Sequence, residues 1–175
     1  QTLVRSFEVR KDPRVTTTQE EFQEQFDLLL QIRDAISDVH DAVNRIRDVK
    51  RQLEELTKRL SDHPQGRALV EMGRALQQRL ARLEEELIQT RNEAPQDPLN
   101  FPPKLNNQLI TLYGVVASAD ARPTAAARAR WEELKAQVAR QLGDLQQVLE
   151  RDLAELNRRM REVGISPLFV AAPRR

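Results

Sequence analysis

From Phe22 to Leu60 the chain places an apolar residue every three or four positions, and no Gly or Pro interrupts the run. The residues are Phe22, Phe26, Leu29, Ile32, Ile36, Val39, Val43, Ile46, Val49, Leu53, Leu56 and Leu60. Their mean step is about 3.45 residues, close to the 3.5 of a coiled-coil seam. A strand repeats every two residues, so the pattern excludes β-structure over this stretch. Thr17 with Glu20, or Thr18 with Glu21, offers a capping box that starts a helix. The spacing predicts one helix over about 18–61, roughly 66 Å long. Most of the stability of such a helix comes from packing its apolar stripe on a neighbour.

The rest of the chain supplies the neighbours. Pro64 and Gly66 break the first helix and imply an antiparallel return. A second helix carries Leu69, Leu76, Leu80, Leu83 and Leu87, with Gly73 inside it, and ends near Asn92. Residues 94–103, APQDPLNFPP, hold four of the nine Pro and form a loop whose Leu99 and Phe101 are expected to tuck into the bundle end. A third helix over about 104–119 carries Leu105, Leu109, Leu112, Val116 and Ala119. Asn100 is expected to cap it, with Pro102 and Pro103 in its opening turn. Its small Gly114, Ala117 and Ser118 would admit a neighbouring backbone. After the ADARPT turn, a fourth helix shows Trp131, Leu134, Val138, Leu142, Leu145, Leu149, Leu153, Leu156, Met160 and Val163, and Gly164 closes it as a C′ residue.

The first and fourth helices match in length, and the second and third together match either. This predicts an all-α, elongated antiparallel bundle of three arms, spectrin-like, with the middle arm broken into two helices. The rival places the third helix beside the second, which would leave half of the long seams uncovered. Before the bundle, TLVRSFEV at residues 2–9 alternates, with Leu3, Arg5, Phe7 and Val9 on one side, and reads as one orphan β-strand. A lone strand leaves its backbone groups unsatisfied. Its expected partner is a preceding β-domain or a neighbouring protein chain. Starting at Gln1 with no Met and no signal peptide, the chain reads as a piece of something longer. The expected units are 1–15, strand and KDPRV linker; 16–165, the bundle; and 166–175, an apolar-then-basic tail.

Composition narrows the chemistry. Lys and Arg number 28 against 27 Asp and Glu, so the +1 net charge excludes a strongly basic nucleic-acid binder. No apolar run approaches a membrane span. With no Cys and two His, thiol chemistry and multi-His metal sites are excluded. His40 with Asp38 or Asp41 is a conceivable acid–base pair, but a His beside a seam reads first as a surface residue. His63 reads as a turn residue. The carboxylate runs at 20–21, 54–55, 84–86 and 132–133 read as a solvated, ion-paired face. The amide-rich group Asn100, Lys104, Asn106, Asn107 and Gln108 reads as loop and cap chemistry, with recognition as its second reading. RIRDVKR at 45–51 reads as a mixed face before an anion-binding one. No residue pattern marks a catalytic, cofactor-binding or metal-binding site.

Two stretches resemble a known family. KDPRVTTTQEEFQEQFDLLLQIRDAISDVHDAVNRIRDVKRQ (11–52) and QDPLNFPPKLNNQLITLYGVVASADARPT (96–124) are similar to the C-terminal helical region of large secreted bacterial proteins. Those proteins carry sortilin-like or BNR-repeat β-propellers and are labelled glycosyl hydrolase-like. The resemblance covers about 11–165. It implies an exported location and a last β-strand feeding the helices, which residues 2–9 fit. It also implies that any hydrolytic site lies in a propeller outside this chain. The expected function is a non-catalytic accessory, interaction or spacer module. The alternative is a fragment of a glycosyl hydrolase-like enzyme whose active site lies in that propeller.

Overall fold

The computed structural model describes residues 2–60 and 66–170. Helix accounts for 72% of the described residues, and no strand occurs among them. The elements are α1 (Gln19–Leu60), α2 (Gly66–Leu87), a 3-10 turn (Asp97–Leu99), α3 (Leu105–Ala117), α4 (Ala125–Gln147), a π segment (Val148–Leu153) and α5 (Ala154–Glu162). The last three follow one another without a break and form a single arm.

Of the two capping boxes, Thr18–Glu21 is the one that forms. The Glu21 N–H donates to Thr18 Oγ1 at 3.2 Å, and the Thr18 N–H donates to Glu21 Oε2 at 2.8 Å. The Thr17 hydroxyl instead donates to the Asp120 carbonyl, tying the α1 entry to the α3–α4 turn. Thr124 caps α4 by accepting the Ala127 N–H at 3.1 Å. At the far end Gly164 adopts φ 74°. Its N–H donates to Arg161 O and that of Ile165 to Met160 O, the paired bonds of a Schellman close.

Named contacts give the arm order. Along α2, Gly73 sits against Leu53 and Thr57, Gln77 bonds Glu54, and Glu84 bonds Lys50 and Arg47. Along α3, Asn106 meets His40 and Val116 meets Gln25. The partners on α1 fall steadily from 57 to 25, so α2 and α3 stack end to end antiparallel to it. The third arm runs parallel to α1. Arg128 pairs with Glu24, Trp131 Nε1 donates to Gln31 at 3.1 Å, and Asp152 pairs with Arg79 of α2. This is the three-armed bundle with a broken middle arm. The core runs its full length, with Ile32, Ile46, Leu53, Leu80, Leu109, Leu134, Leu153 and Met160 fully buried.

Several local expectations are corrected. Residues 2–9 form no strand; with no edge to pair with, their backbone stays open and Leu3, Val4, Phe7 and Val9 are exposed. Phe26 is 55% exposed, because the buried positions there are Gln25 and Leu28. Leu99 lies exposed on its 3-10 turn, while Phe101 is half-buried under the Arg91 guanidinium. Asn100 does not cap α3, whose first residue follows Lys104 with no side-chain cap. No chain approaches Gly114; a Cβ there would meet nothing within 4 Å. The chain after Gly164 stays on the bundle as far as Val170. Leu168 joins the core, Asn157 bonds both its N–H and its C=O, and Gln52 does the same for Phe169. His63 and the basic end of the tail lie outside the described residues.

Candidate functional site

The break in the middle arm is where polar side chains converge. Two bonds staple it: Lys104 to Glu86 at 3.0 Å, and Gln89 Nε2 to the Pro102 carbonyl at 2.9 Å. The Asp97 carboxylate accepts the Glu93 and Ala94 N–H groups, each at 2.7 Å, and these bonds hold it below its ordinary range. Between the end of α2, the start of α3 and the middle of α1 lies an open cleft of about 330 Å³. Its lining is His40, Asn44, Arg47, Gln89, Asn92, Asn106 and Asn107 over Val43 and Ile88.

Helical spacing explains the α1 contribution. His40, Asn44 and Arg47 follow at steps of four and three and therefore share one face. On α3, Asn106 and Asn107 occupy the first turn, which the Pro102–Pro103 pair delivers to this face. His40 Nε2 lies 2.9 Å from Asn106 Oδ1. The imidazole thus engages an amide, and the conceivable pairing with Asp38 or Asp41 does not form. Asp38 has a different environment: burial, then the charges of Asp34 and Asp41, pushes its carboxyl up.

Beside the cleft a buried carboxylate is held by two partly exposed cations. Glu84 is 4% exposed and accepts from Arg47 Nε at 2.7 Å and Lys50 Nζ at 2.8 Å. Burial pushes its carboxyl up, but the bonds and charges of Lys50 and Arg47 outweigh that, and it lies below the usual carboxylate range. Glu84 thus departs from the solvated face expected of residues 84–86. The available signal was the position of Glu84, four residues after Leu80 and three before Leu87, on the buried stripe of α2. Gln25, the other buried polar side chain among the described residues, donates to the Val116 and Ala119 carbonyls at 2.7 and 2.6 Å, closing the end of α3.

The structure therefore gathers His40, Arg47 from the basic stretch, and Asn106 and Asn107 from the amide group. It leaves Asn100, Lys104 and Gln108 outside the lining, where Lys104 pairs with Glu86 and Gln108 bonds the Pro103 carbonyl and Arg130. Gln89 and Asn92, just past the end of α2, complete the lining without any local spacing that marks them. A second, apolar surface lies between α1 and α3, where Ile36, Ile110 and Tyr113 line a shallow groove beside Arg33. Among the described residues no group of three or more His, Asp or Glu could hold a metal, and no helix is long and apolar enough to cross a membrane. No family model, curated protein or solved structure matches the chain.

Proposed function

We propose that the bundle is a non-catalytic spacer and interaction module of a larger exported bacterial β-propeller protein, held to a preceding β-domain through residues 2–9. The observation that carries this reading is the exposure of one alternating segment. Leu3, Val4, Phe7 and Val9 are 84–89% exposed beside a bundle whose own seam is closed. Burying each such side chain is worth about 1.5–3 kcal/mol, so the segment has much to gain from a sheet edge outside the helices. Phe26, within two turns of the α1 start, is a further uncovered apolar side chain. The family context and the exported location rest on the resemblance of residues 11–52 and 96–124.

Hydrogen exchange tests the attachment. In the isolated chain, amides 3–9 should exchange without protection, and deleting residues 1–10 should leave Tm within about 1 °C, since they add nothing to the seam. In a longer polypeptide that includes a preceding β-domain, the same amides should become protected. Protection of Val4–Val9 in a monomeric sample of the isolated chain would overturn the reading. So would turnover on a glycoside panel that a point mutation within residues 16–165 abolishes.

A further inference from the structure

The cleft at the arm break has a composition unlike the rest of the surface. Four of the chain's six Asn line it, with one of its two His, yet none of its 27 Asp and Glu does. At the chain's overall share of carboxylates a lining of this size would hold one or two, so it is the four Asn that set this cleft apart. The Asn44, Asn92 and Asn107 side chains have no hydrogen-bond partner among the described residues, so their donors and acceptors face the cleft uncommitted. Asn44 lies mid-helix, where Asn costs about 0.5 kcal/mol relative to Ala and competes with the helix for backbone bonds. A purely structural position would be better served by Ala, Lys or Glu.

The charge is also poised. Glu84 is neutralised by Lys50 at 2.8 Å and Arg47 at 2.7 Å, two cations on one carboxylate, so the cluster carries a surplus positive charge. Arg47 uses Nε for Glu84, which fixes the plane of the guanidinium while its side chain remains 57% exposed at the cleft. A guanidinium so anchored presents its outer nitrogens as a fork suited to two oxygens of one anion. The volume, about 330 Å³, lies at the small end of ligand clefts, which run from about 300 to 1,000 Å³. Val43 and Ile88 provide an apolar floor.

We propose that this cleft binds a small anionic molecule, its carboxylate or phosphoryl oxygens held by Arg47 and its remaining hydroxyl or amide groups paired with Asn44, Asn92 and Asn107. This goes beyond the spacer role. It makes the joint of the middle arm a recognition site, independent of what residues 2–9 contact.

The test is a ¹H–¹⁵N titration of the full chain with inorganic phosphate and, separately, with succinate, ionic strength being matched with chloride. The side-chain signals of Asn44, Asn92, Asn107 and Arg47 should shift and saturate. Saturation with phosphate alone identifies a phosphoryl ligand, with succinate alone a carboxylate, and with both a shared oxyanion seat. Arg47→Gln should weaken the binding about tenfold, the effect of losing one charged bond. Because Arg47 also serves Glu84, Asn107→Asp provides a second variant that leaves the ion cluster intact and sets a carboxylate against the anion; it should weaken binding at least as much. Linear, unsaturable shifts with both anions would overturn the proposal, as would saturable shifts unchanged in both variants.

Discussion

Glu84 shows how much one side chain can carry at a joint. Its carboxylate is buried against α1, yet each oxygen has a cation. Glu84→Gln should cost about 1–2 kcal/mol by urea denaturation, because both cations lie near water and can partly resolvate. Glu84→Leu, which removes the need to desolvate any charge, should be nearly neutral or stabilising. The pH dependence follows from the lowered carboxyl. The contribution of Glu84 is fully present above its unfolded value near 4.5 and is lost as pH falls through the lower folded value. The stability gap between wild type and Glu84→Gln should therefore narrow below pH 4.5. Gly73 makes the opposite case. A Cβ there would meet Leu53 at 3.6 Å and Thr57 at 3.9 Å, ordinary contact distances. Gly73→Ala should stabilise the protein by about 0.5–1 kcal/mol, seen as a rise of about 1–4 °C in Tm.

At the scale of elements, the seam and the absence of Gly and Pro made α1 legible to within a residue. Where packing depends on a partner far along the chain, periodicity falls short. Phe26 fits the 3.45-residue step, yet the surface it faces is not covered by α3 or α4, so it stays exposed. The last arm holds two runs with consecutive steps of four, Leu134–Val138–Leu142 and Leu145–Leu149–Leu153. At 3.6 residues per turn the two runs drift across about 100°, the full width of one apolar face. The first run is absorbed by Leu142 slipping to half-burial. The second is absorbed by the wider turn of Val148–Leu153, which keeps Val148, Leu149 and Leu153 all buried. The amide cleft was harder to see, because it joins residues from α1, α2 and α3 that no local spacing relates. The strap after α5 was also hidden, since two side-chain amides, Asn157 and Gln52, provide its bonds. Asn157→Ala should strip both bonds from Leu168 and cost about 1–2 kcal/mol, with hydrogen exchange at Leu168 and Phe169 rising before the bundle melts.

At the scale of the molecule, everything rests on the middle arm being two helices laid end to end. That arrangement covers the whole of α1, places the amide cleft at a joint instead of inside a closed core, and makes the bundle long enough to hold its ends apart. The chain has no Cys, so spin labels can be placed without background. Ala68, near the start of α2, and Val115, near the end of α3, are both exposed. Through their neighbours on α1 they are separated by some thirty-odd helical residues, an axial distance of about 50 Å at 1.5 Å per residue. Double electron–electron resonance on the Ala68→Cys/Val115→Cys chain should give a single distance near that value. A distance near 20 Å, as expected if α3 folded back beside α2, would contradict the arm order and with it the joint, the cleft and the spacer.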